Sequence, residues 1–261
     1  MDLLDKFIAQ AQENVKTGYY ANCKTVQQVK FVSLKKVLEK QNFSLIAEIK
    51  HASPAGEYSF DYIDIPVTAS LFKENGADAI SVVVEPKIFN GNLEHISIAK
   101  KVGLPVVFKD FVVDKQQMQA AAQTGADVIL LVAKILNRLN LPLDDFIKTA
   151  HDLGLEVLLE CYDLNEFENA LTTKADILGI NNRNLETLQV DLNVTKIILE
   201  KISFKKINKP IISESGVRTR IDAEFLKACG VKGVLVGTAL WKAVDQKEKI
   251  KELKLRDLNE N

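Results

Sequence analysis

The chain contains 261 residues, of which 47% are hydrophobic and 26% are charged, and its formal net charge is −1. This length is compatible with one large α/β domain or with two small ones. The balanced charge gives no general attraction to nucleic acid or to an anionic membrane, and no apolar run approaches the roughly 18 residues that a membrane span needs. We therefore expect neither kind of partner.

The cysteines and histidines argue against a disulfide framework and against a metal centre. The cysteines form no C-x-x-C pair, and no two histidines are four residues apart. These residues are Cys23, Cys161, Cys229, His51, His95 and His151. Such usage favours a reducing compartment, and we expect a cytoplasmic protein without a bound metal.

Residues 1–43 are predicted to form a helical extension in front of the main domain. Residues 1–15 place acidic side chains among apolar ones at helical spacing, which is typical of an amphipathic helix and not of a secretory signal. Eight apolar runs rich in β-branched residues follow, with helical patterns between them. These predicted strands are Ser44–Lys50, Ala79–Val84, Pro105–Lys109, Val128–Val132, Glu156–Glu160, Ile177–Asn181, Pro210–Ser213 and Gly233–Val236.

A short motif precedes each even-numbered strand, which indicates one βαβα unit repeated four times. Its copies are Gly76-Ala-Asp78, Gly125-Ala-Asp127, Lys174-Ala-Asp176 and Gly230-Val-Lys232. Strands that are apolar on both faces and separated by helices are typical of a parallel sheet covered on each side. We predict a single α/β domain over residues 1–261, a (β/α)8 TIM barrel with an N-terminal helical extension, in which the barrel spans 44–245 and a C-terminal helix or tail spans 246–261. An open doubly wound sheet is the alternative, but no G-x-G-x-x-G follows the first strand.

Polar residues collect at the C-terminal ends of six predicted strands, where a (β/α)8 barrel carries its active site. Side chains alternate along a strand, so Glu48 and Lys50 share one face. The other strand ends contribute Lys109 with Asp110, Glu160, Asn181 with Arg183, Glu214 with Ser215 and Gly216, and Gly237 with Thr238. Opposite charges about 4 Å apart interact by roughly 4 kcal/mol at an effective dielectric constant of about 20, so an alternating network of charges is favourable. One such residue alone is usually solvated, but six strand ends together predict a site that tunes a lysine or a glutamate for proton transfer.

The last two strands predict a phosphate site. Ser213-Glu-Ser-Gly216 and Val236-Gly-Thr-Ala-Leu240 place small residues where two loops meet the start of a helix. Backbone N–H groups can converge on an anion there, and the predicted contacts are Ser215, Gly216, Gly237 and Thr238. The alternative is that the two glycines only permit tight turns.

Several motifs resemble those of the indole-3-glycerol-phosphate synthase family and occur in the same order along the chain as in that family. They are Ile46-Ala-Glu-Ile-Lys50 with Ser53-Pro54, Pro105-Val-Val-Phe-Lys-Asp-Phe111, Gly125-Ala-Asp-Val-Ile-Leu-Leu131, Gly179-Ile-Asn-Asn-Arg-Asn-Leu185 and Ser213-Glu-Ser-Gly216. The resemblance implies closure of 1-(2-carboxyphenylamino)-1-deoxyribulose 5-phosphate to indole-3-glycerol phosphate, with loss of carbon dioxide and water and without a cofactor.

The resemblance also implies residue roles. Lys109 matches the general acid, Glu160 the glutamate that moves protons during dehydration, and Lys50 the lysine near the substrate carboxylate. Glu48, Asn181 and Glu214 are implied to hold sugar hydroxyls and to orient the lysines. Ser53 and Arg183 resemble polar contacts to substrate, and Phe89, Phe111, Leu131 and Leu188 resemble the ring pocket, although apolar residues beside barrel strands more often pack under helices.

The chain departs from the family pattern at four places near the site. His51 stands where arginine or lysine is usual, Val84 where threonine is usual, and Phe108 where a small or polar residue is common. The loop Ser53-Pro-Ala-Gly56 also lacks a lysine that the family often has there. A histidine at position 51 is expected to be a loop residue, and any phosphate or carboxylate bound to it would be held more weakly as pH rises through its pKa.

Two other functions are compatible with a phosphate-binding barrel. One is another sugar-phosphate enzyme such as phosphoribosylanthranilate isomerase, which typically relies on a cysteine and an aspartate. The other is a barrel that binds a phosphorylated metabolite without catalysis. For the preferred function we expect a small sugar phosphate as partner and a monomer or a weak homo-oligomer.

Overall fold

The computed structural model describes residues 2–21, 23–26, 30–202 and 207–255, and its eight parallel strands close into a barrel. The strands are β1 Ser44–Ile49, β2 Ala79–Val83, β3 Val106–Lys109, β4 Val128–Val132, β5 Glu156–Cys161, β6 Ile177–Asn181, β7 Ile211–Glu214 and β8 Gly233–Val236. Each lies within a residue or so of its predicted bounds. Closure is made by β1 and β8, where Ser44 is opposite Gly233. The predicted (β/α)8 barrel is therefore confirmed, and the doubly wound alternative is wrong.

Helices surround the barrel and also cover its ends. They are α1 Leu3–Lys16, α2 Leu34–Lys40, α3 Ile65–Glu74, α4 Glu94–Lys100, α5 Lys115–Thr124, α6 Ala133–Arg138, α7 Leu143–Asp152, α8 Leu164–Thr172, α9 Asn193–Lys201, α10 Arg220–Ala228, α11 Thr238–Trp241 and α12 Gln246–Leu253. The predicted amphipathic segment is α1, which begins with an Asp2 capping box. The predicted C-terminal tail beyond residue 255 lies outside the described residues.

Two layers of core follow from the alternation of side chains along each strand. Outward side chains such as Leu45, Val82 and Phe108 pack against the helices. Inward side chains such as Ile46 and Leu130 fill the barrel, where they join apolar residues of α1 and α2. The N-terminal extension therefore belongs to the inner core.

The repeated Ala-Asp motif has a structural role at the N-terminal end of the barrel. Three aspartates each accept the backbone N–H near the start of the preceding odd-numbered strand: Asp78 from Leu45 at 2.8 Å, Asp127 from Val106 at 2.8 Å and Asp176 from Val157 at 2.9 Å. Each carboxylate also meets a basic side chain, in turn Lys254, Lys100 and His151. In the fourth repeat a lysine, Lys232, occupies the aspartate position.

The pair between Lys100 and Asp127 predicts a large stability difference, because both side chains are almost completely buried. Replacing Asp127 with Asn leaves an unpaired buried charge and is expected to lower the free energy of unfolding by about 3–5 kcal/mol. Replacing Asp152 with Asn in the exposed Lys148 pair is the matched control and should cost less than about 0.5 kcal/mol. Chemical denaturation measures both, and equal losses would contradict the assigned role of the Asp127 carboxylate.

Candidate active site

One cavity of about 710 Å³ opens at the C-terminal ends of the strands. Its size is that of a small-molecule site. The six residues predicted to be catalytic all line it: Glu48, Lys50, Lys109, Glu160, Asn181 and Glu214. Residues spread over five strands of the sequence therefore meet in one place.

Lys109 is held between two carboxylates at the end of β3. Its ammonium nitrogen Nζ donates to Glu214 Oε2 at 2.8 Å and to Glu160 Oε2 at 3.4 Å. Burial opposes the charge of Lys109, but Glu214, Glu160 and then Glu48 outweigh it, and the pKa of Lys109 is raised. The site therefore keeps a charged proton donor at neutral pH.

The pKa of the Glu214 carboxyl group is strongly perturbed. Burial is the largest effect and raises the pKa of Glu214 to about 7, assisted by repulsion from Glu160 and opposed by Lys109. The carboxylate fits because β6 carries Gly179 beside it, where an added Cβ would overlap Glu214 Oε1. The sequence gives no indication of this role for Gly179, because the contact joins two different strands.

Glu48 and Lys50 form the second ion pair of the cavity. Lys50 Nζ lies 2.8 Å from Glu48 Oε1, and both side chains are largely buried. Burial favours the neutral acid, but Lys50 and then Lys109 outweigh it and lower the pKa of Glu48. The indole nitrogen of Trp241 donates to the Glu48 carbonyl oxygen at 2.8 Å, which fixes this strand end to α11.

Asn181 and Arg183 extend the network along β6. Asn181 donates to Glu160 Oε1 at 2.9 Å, and its own side-chain oxygen accepts the backbone N–H of Arg183 at 2.9 Å. The Arg183 guanidinium donates to the Leu188 carbonyl oxygen at 3.1 Å. The Asn181 amide thus orients Glu160. The Arg183 guanidinium stabilises the loop that places Leu188 in the cavity lining.

The four predicted phosphate contacts line the same cavity. Ser215 and Gly216 have positive φ values of 64° and 88°, which turn the backbone sharply after β7. Thr238 begins α11, and Gly237 precedes it. Gly237 also leaves room for the Glu48 carboxylate, because an added Cβ there would overlap Glu48 Oε1.

An aromatic wall stands across the cavity, and one of its members was missed by sequence reasoning. Phe89 and Phe111 line the cavity as predicted, with ring centroids 6.0 Å apart. Phe7 of α1 also lines it and stacks on Phe111 at 4.8 Å with the planes 12° apart. The helical pattern of α1 predicted an apolar face but gave no indication that the face covers the site.

Two predicted contacts need correction, because neither residue lines the cavity. Leu131 packs in the outer core, since its neighbours Leu130 and Val132 occupy the inward positions of β4 and line the cavity instead. Ser53 is buried and donates its hydroxyl to Glu57 at 3.0 Å, so the loop presents other side chains.

The N-terminal extension is fastened to the site by buried hydrogen bonds. Tyr20 donates its hydroxyl to Asp110 at 2.6 Å, and Asn14 donates to Glu85 at 2.9 Å. Burial raises the pKa of Asp110 to about 6, against the hydrogen bonds from Tyr20 and from the Phe111 backbone. These bonds hold α1, and with it Phe7, over the strand ends.

Three of the four departures from the family pattern lie outside the cavity lining, and the fourth is in the loop that contributes Pro54 to it. Phe108 and Val84 are completely buried in the outer core. His51 is buried beside the cavity, and its ring stacks on another histidine. As expected, His51 is a loop residue beyond the end of β1, and it does not line the cavity.

Comparison with known proteins identifies the family. The sequence pattern of "Indole-3-glycerol phosphate synthase" matches residues 4–253. The chain belongs to this family. It is 37% identical over 239 residues to the "Indole-3-glycerol phosphate synthase" of Thermoanaerobacter sp. (strain X514), covering 91% of this chain and 85% of that protein. It is 35% identical over 264 residues to the protein of the same name in Endomicrobium trichonymphae, covering 97% and 99%. The predicted family, carboxy-lyase class and role in tryptophan biosynthesis are thereby confirmed.

Solved structures with low sequence identity support the fold alone. An N-acetylmannosamine-6-phosphate 2-epimerase from Clostridium perfringens matches with a TM-score of 0.58 and 14% identity, covering 82% of this chain and 93% of that chain. A structure described as "Native KDPGal structure" matches with a TM-score of 0.57 and 17% identity, covering 82% and 94%. Within the described part of the chain, no helix has the length and hydropathy to cross a membrane.

The contact between Gly179 and Glu214 predicts a catalytic defect that is separable from folding. Replacing Gly179 with Ala must push the Glu214 carboxylate away from Lys109, and we expect kcat to fall by about 100-fold because a displacement near 1 Å suffices for such a loss. Gly233→Ala is the matched control, since the added Cβ meets the Ser44 backbone at the opposite end of the barrel and should lower stability while kcat persists. Full kcat in the Gly179 variant would contradict the assignment.

Proposed function

We propose that this chain closes 1-(2-carboxyphenylamino)-1-deoxyribulose 5-phosphate to indole-3-glycerol phosphate, with Lys109 as general acid. The observation that carries the proposal is the position of one charged, partly buried lysine between Glu160 and Glu214, in a cavity that also has an aromatic wall and a glycine-lined turn. These parts suit a substrate with an aromatic ring, a reacting carbonyl and a phosphate. Its family membership supports the same reaction.

The first step forms the carbon–carbon bond of the new ring. The aromatic carbon that bears the carboxylate attacks the sugar carbonyl carbon, and the carbonyl oxygen takes a proton from Lys109. Carbon dioxide then leaves, and its bonding electrons restore the aromatic ring. A positioned acid contributes typically about 10²–10⁴-fold to such a step.

The second step removes water. The ring nitrogen assists departure of the hydroxyl, which takes a second proton from Lys109 after solvent has recharged that lysine, and it leaves as water. Glu160 accepts the proton that the ring methylene carbon then loses. Asn181 suits the role of orienting Glu160, because its amide donates to Glu160 Oε1 and leaves Oε2 directed toward Lys109.

The remaining residues bind the substrate. Lys50 offers a cation to the substrate carboxylate, with Glu48 holding it in place. The buried oxygens Glu48 Oε2 and Glu214 Oε1 have no hydrogen-bond partner among the described residues and are assigned to sugar hydroxyls. The backbone N–H groups around Ser215, Gly216 and Thr238 are assigned to the phosphate.

The isomerase alternative is disfavoured by the position of the best-buried thiol. Cys161 packs in the outer core, and burial raises its pKa strongly, so it does not reach the cavity as a reactive thiolate. The non-catalytic alternative is an outcome of the kinetic test that follows.

The two lysines are expected to give different kinetic defects. Lys109→Met should lower kcat by at least about 100-fold, because the proton donor is lost. Lys50→Met should mainly raise KM, because an interaction present in both ground and transition state is lost. Lys196→Met, at a half-exposed position on α9, is the matched control.

Fluorescence of indole-3-glycerol phosphate measures product formation in all four proteins. Normal turnover by the Lys109→Met variant would show that Lys109 is not the general acid. Substrate-dependent thermal stabilisation without product, in the wild type, would favour the non-catalytic barrel.

Phe7 is expected to contribute to ring binding although it lies in the N-terminal extension. Phe7→Ala removes one stacked partner of Phe111 and should raise KM by about 2- to 10-fold, since an aromatic contact is worth about 0.5–1.5 kcal/mol beyond burial. Phe7→Tyr keeps the ring and is the conservative control. Unchanged KM in the alanine variant, with the variant folded by circular dichroism, would show that the wall does not contact substrate.

A further inference from the structure

Two histidines beside the site stack on each other and join two loops. The rings of His51 and His95 have centroids 4.9 Å apart, with the planes 15° apart. His51 directly follows Lys50 at the end of β1, and His95 lies in the first turn of α4. The contact therefore links the loop after β1 to the helix that follows the Phe89 loop.

The loop after β1 is a small hairpin that begins at His51. Its backbone bonds run from the Ser53 N–H to the Tyr58 carbonyl at 3.0 Å and from the Phe60 N–H to the His51 carbonyl at 2.8 Å. The hairpin brings Pro54 and Glu57 into the cavity lining. Fixing the His51 ring therefore fixes both Lys50 on one side and the hairpin on the other.

The surroundings of the two rings favour their neutral forms. His51 is 6% exposed, and the Nδ1 atoms of both rings are buried without a hydrogen-bond partner among the described residues. A protonated ring would leave a buried N–H donor unpaired beside a second ring of the same kind. Burial lowers the pKa of His51, and burial followed by the nearness of His51 lowers the pKa of His95 to about 4.

The charged groups around the two histidine rings do little to stabilise their protonated forms. On α4 the carboxylate of Glu94 favours the protonated form of His95, but it lies 2.9 Å from Lys24, which neutralises it. On β1 the neighbouring Lys50 is itself paired with Glu48. No carboxylate among the described residues forms an ion pair with either ring, unlike His151, which pairs with Asp176 at 2.8 Å.

We propose that His51 and His95 are positioning residues that fasten the loop behind Lys50 to α4 while both rings are neutral, and release it when either ring takes up a proton. Neither ring lines the cavity, so the pair acts through Lys50 and Glu57. The effect on catalysis rests on the proposed function. The effect on the loop does not.

The direction of the pH dependence follows from linkage. A ring whose pKa is lowered in the closed loop takes up a proton more readily when the loop is open. The closed loop is therefore fully favoured above the ordinary histidine pKa of about 6.5, and it is progressively lost as pH falls, toward about 4 in the case of His95. Between pH 7.5 and 5.5 the His95 ring alone favours the open form by about tenfold, and the His51 ring, whose pKa is also lowered, acts in the same direction.

Hydrogen exchange of two amides tests the loop directly in the full chain. The protection factors of Ser53 and Phe60, corrected for intrinsic exchange, should fall by about tenfold or more between pH 7.5 and 5.5. The Leu188 amide, which donates to Asn184 at 2.8 Å in a loop without histidine, is the internal reference. In the double variant His51→Phe and His95→Phe, which keeps two stacked rings without a titratable nitrogen, protection should not change with pH.

Two single variants and the kinetics separate positioning from structure. His95→Ala should lower loop protection at both pH values, and His95→Phe should restore it. With the carboxyphenylamino sugar phosphate, KM of the wild type should rise toward pH 5.5 more steeply than KM of the double phenylalanine variant, while the ratio of their kcat values changes less. The double variant controls for titration of the substrate phosphate, which affects both proteins equally.

The outcomes that overturn the proposal are distinct from failure of the proposed function. An equal loss of protection in wild type and double variant, or no loss in the wild type, refutes the release. A pH-dependent loop with identical KM profiles refutes positioning. Absence of turnover at every pH refutes the proposed function, and the exchange data still decide whether the loop is released.

Discussion

The pairing of buried carboxylates with two partly buried lysines at the strand ends constrains the rest of the structure. Removing such groups from water is costly, and the cost is recovered only when opposite charges are close and well hydrogen-bonded. Lys109 meets this condition between Glu160 and Glu214, and Glu48 meets it beside Lys50. The positive charge of Lys109 therefore has two roles. It balances the buried carboxylates of the fold, and in the proposed reaction it supplies the proton.

The barrel makes room for this charge by omitting side chains next to it. Gly179 and Gly237 stand where a methyl group would overlap Glu214 and Glu48. The N-terminal extension then covers the strand ends, since the bonds from Tyr20 to Asp110 and from Asn14 to Glu85 hold α1 in place. Catalytic charges and the aromatic wall therefore come from different layers of the molecule, and packing brings them together.

Much of the fold and of the charged site could be predicted from sequence because both depend on period and position. Strands of period two, separated by helices, predict a barrel, and a polar residue at the end of a strand must lie at its mouth. Glu48, Lys109 and Glu214 follow from that rule. The regular spacing of the Ala-Asp repeat is visible in the sequence. Its role at the start of the preceding strand is seen only in the structure, where Asp78 and Asp127 accept backbone hydrogen bonds.

The apolar part of the site was less predictable. Leu130 and Leu131 are equally apolar, so composition cannot tell the inward residue from the outward one, and the choice of Leu131 was wrong by one position of the strand alternation. Phe7 was missed because its place over the cavity depends on long-range hydrogen bonds of the extension. The stacking of His51 on His95 also joins residues that are far apart in the sequence, so no local pattern predicts it.

Proton donation from Lys109 to the sugar carbonyl can be examined in a structure of the complex with a non-cleavable reduced analogue of the carboxyphenylamino sugar phosphate. The oxygen that replaces the carbonyl should lie about 2.6–3.2 Å from Lys109 Nζ, with the phosphate at Ser215, Gly216 and Thr238 and the aromatic ring against Phe111. An analogue bound in the reverse direction, or with its hydroxyl beyond reach of Lys109, would show that Lys109 is not the acid.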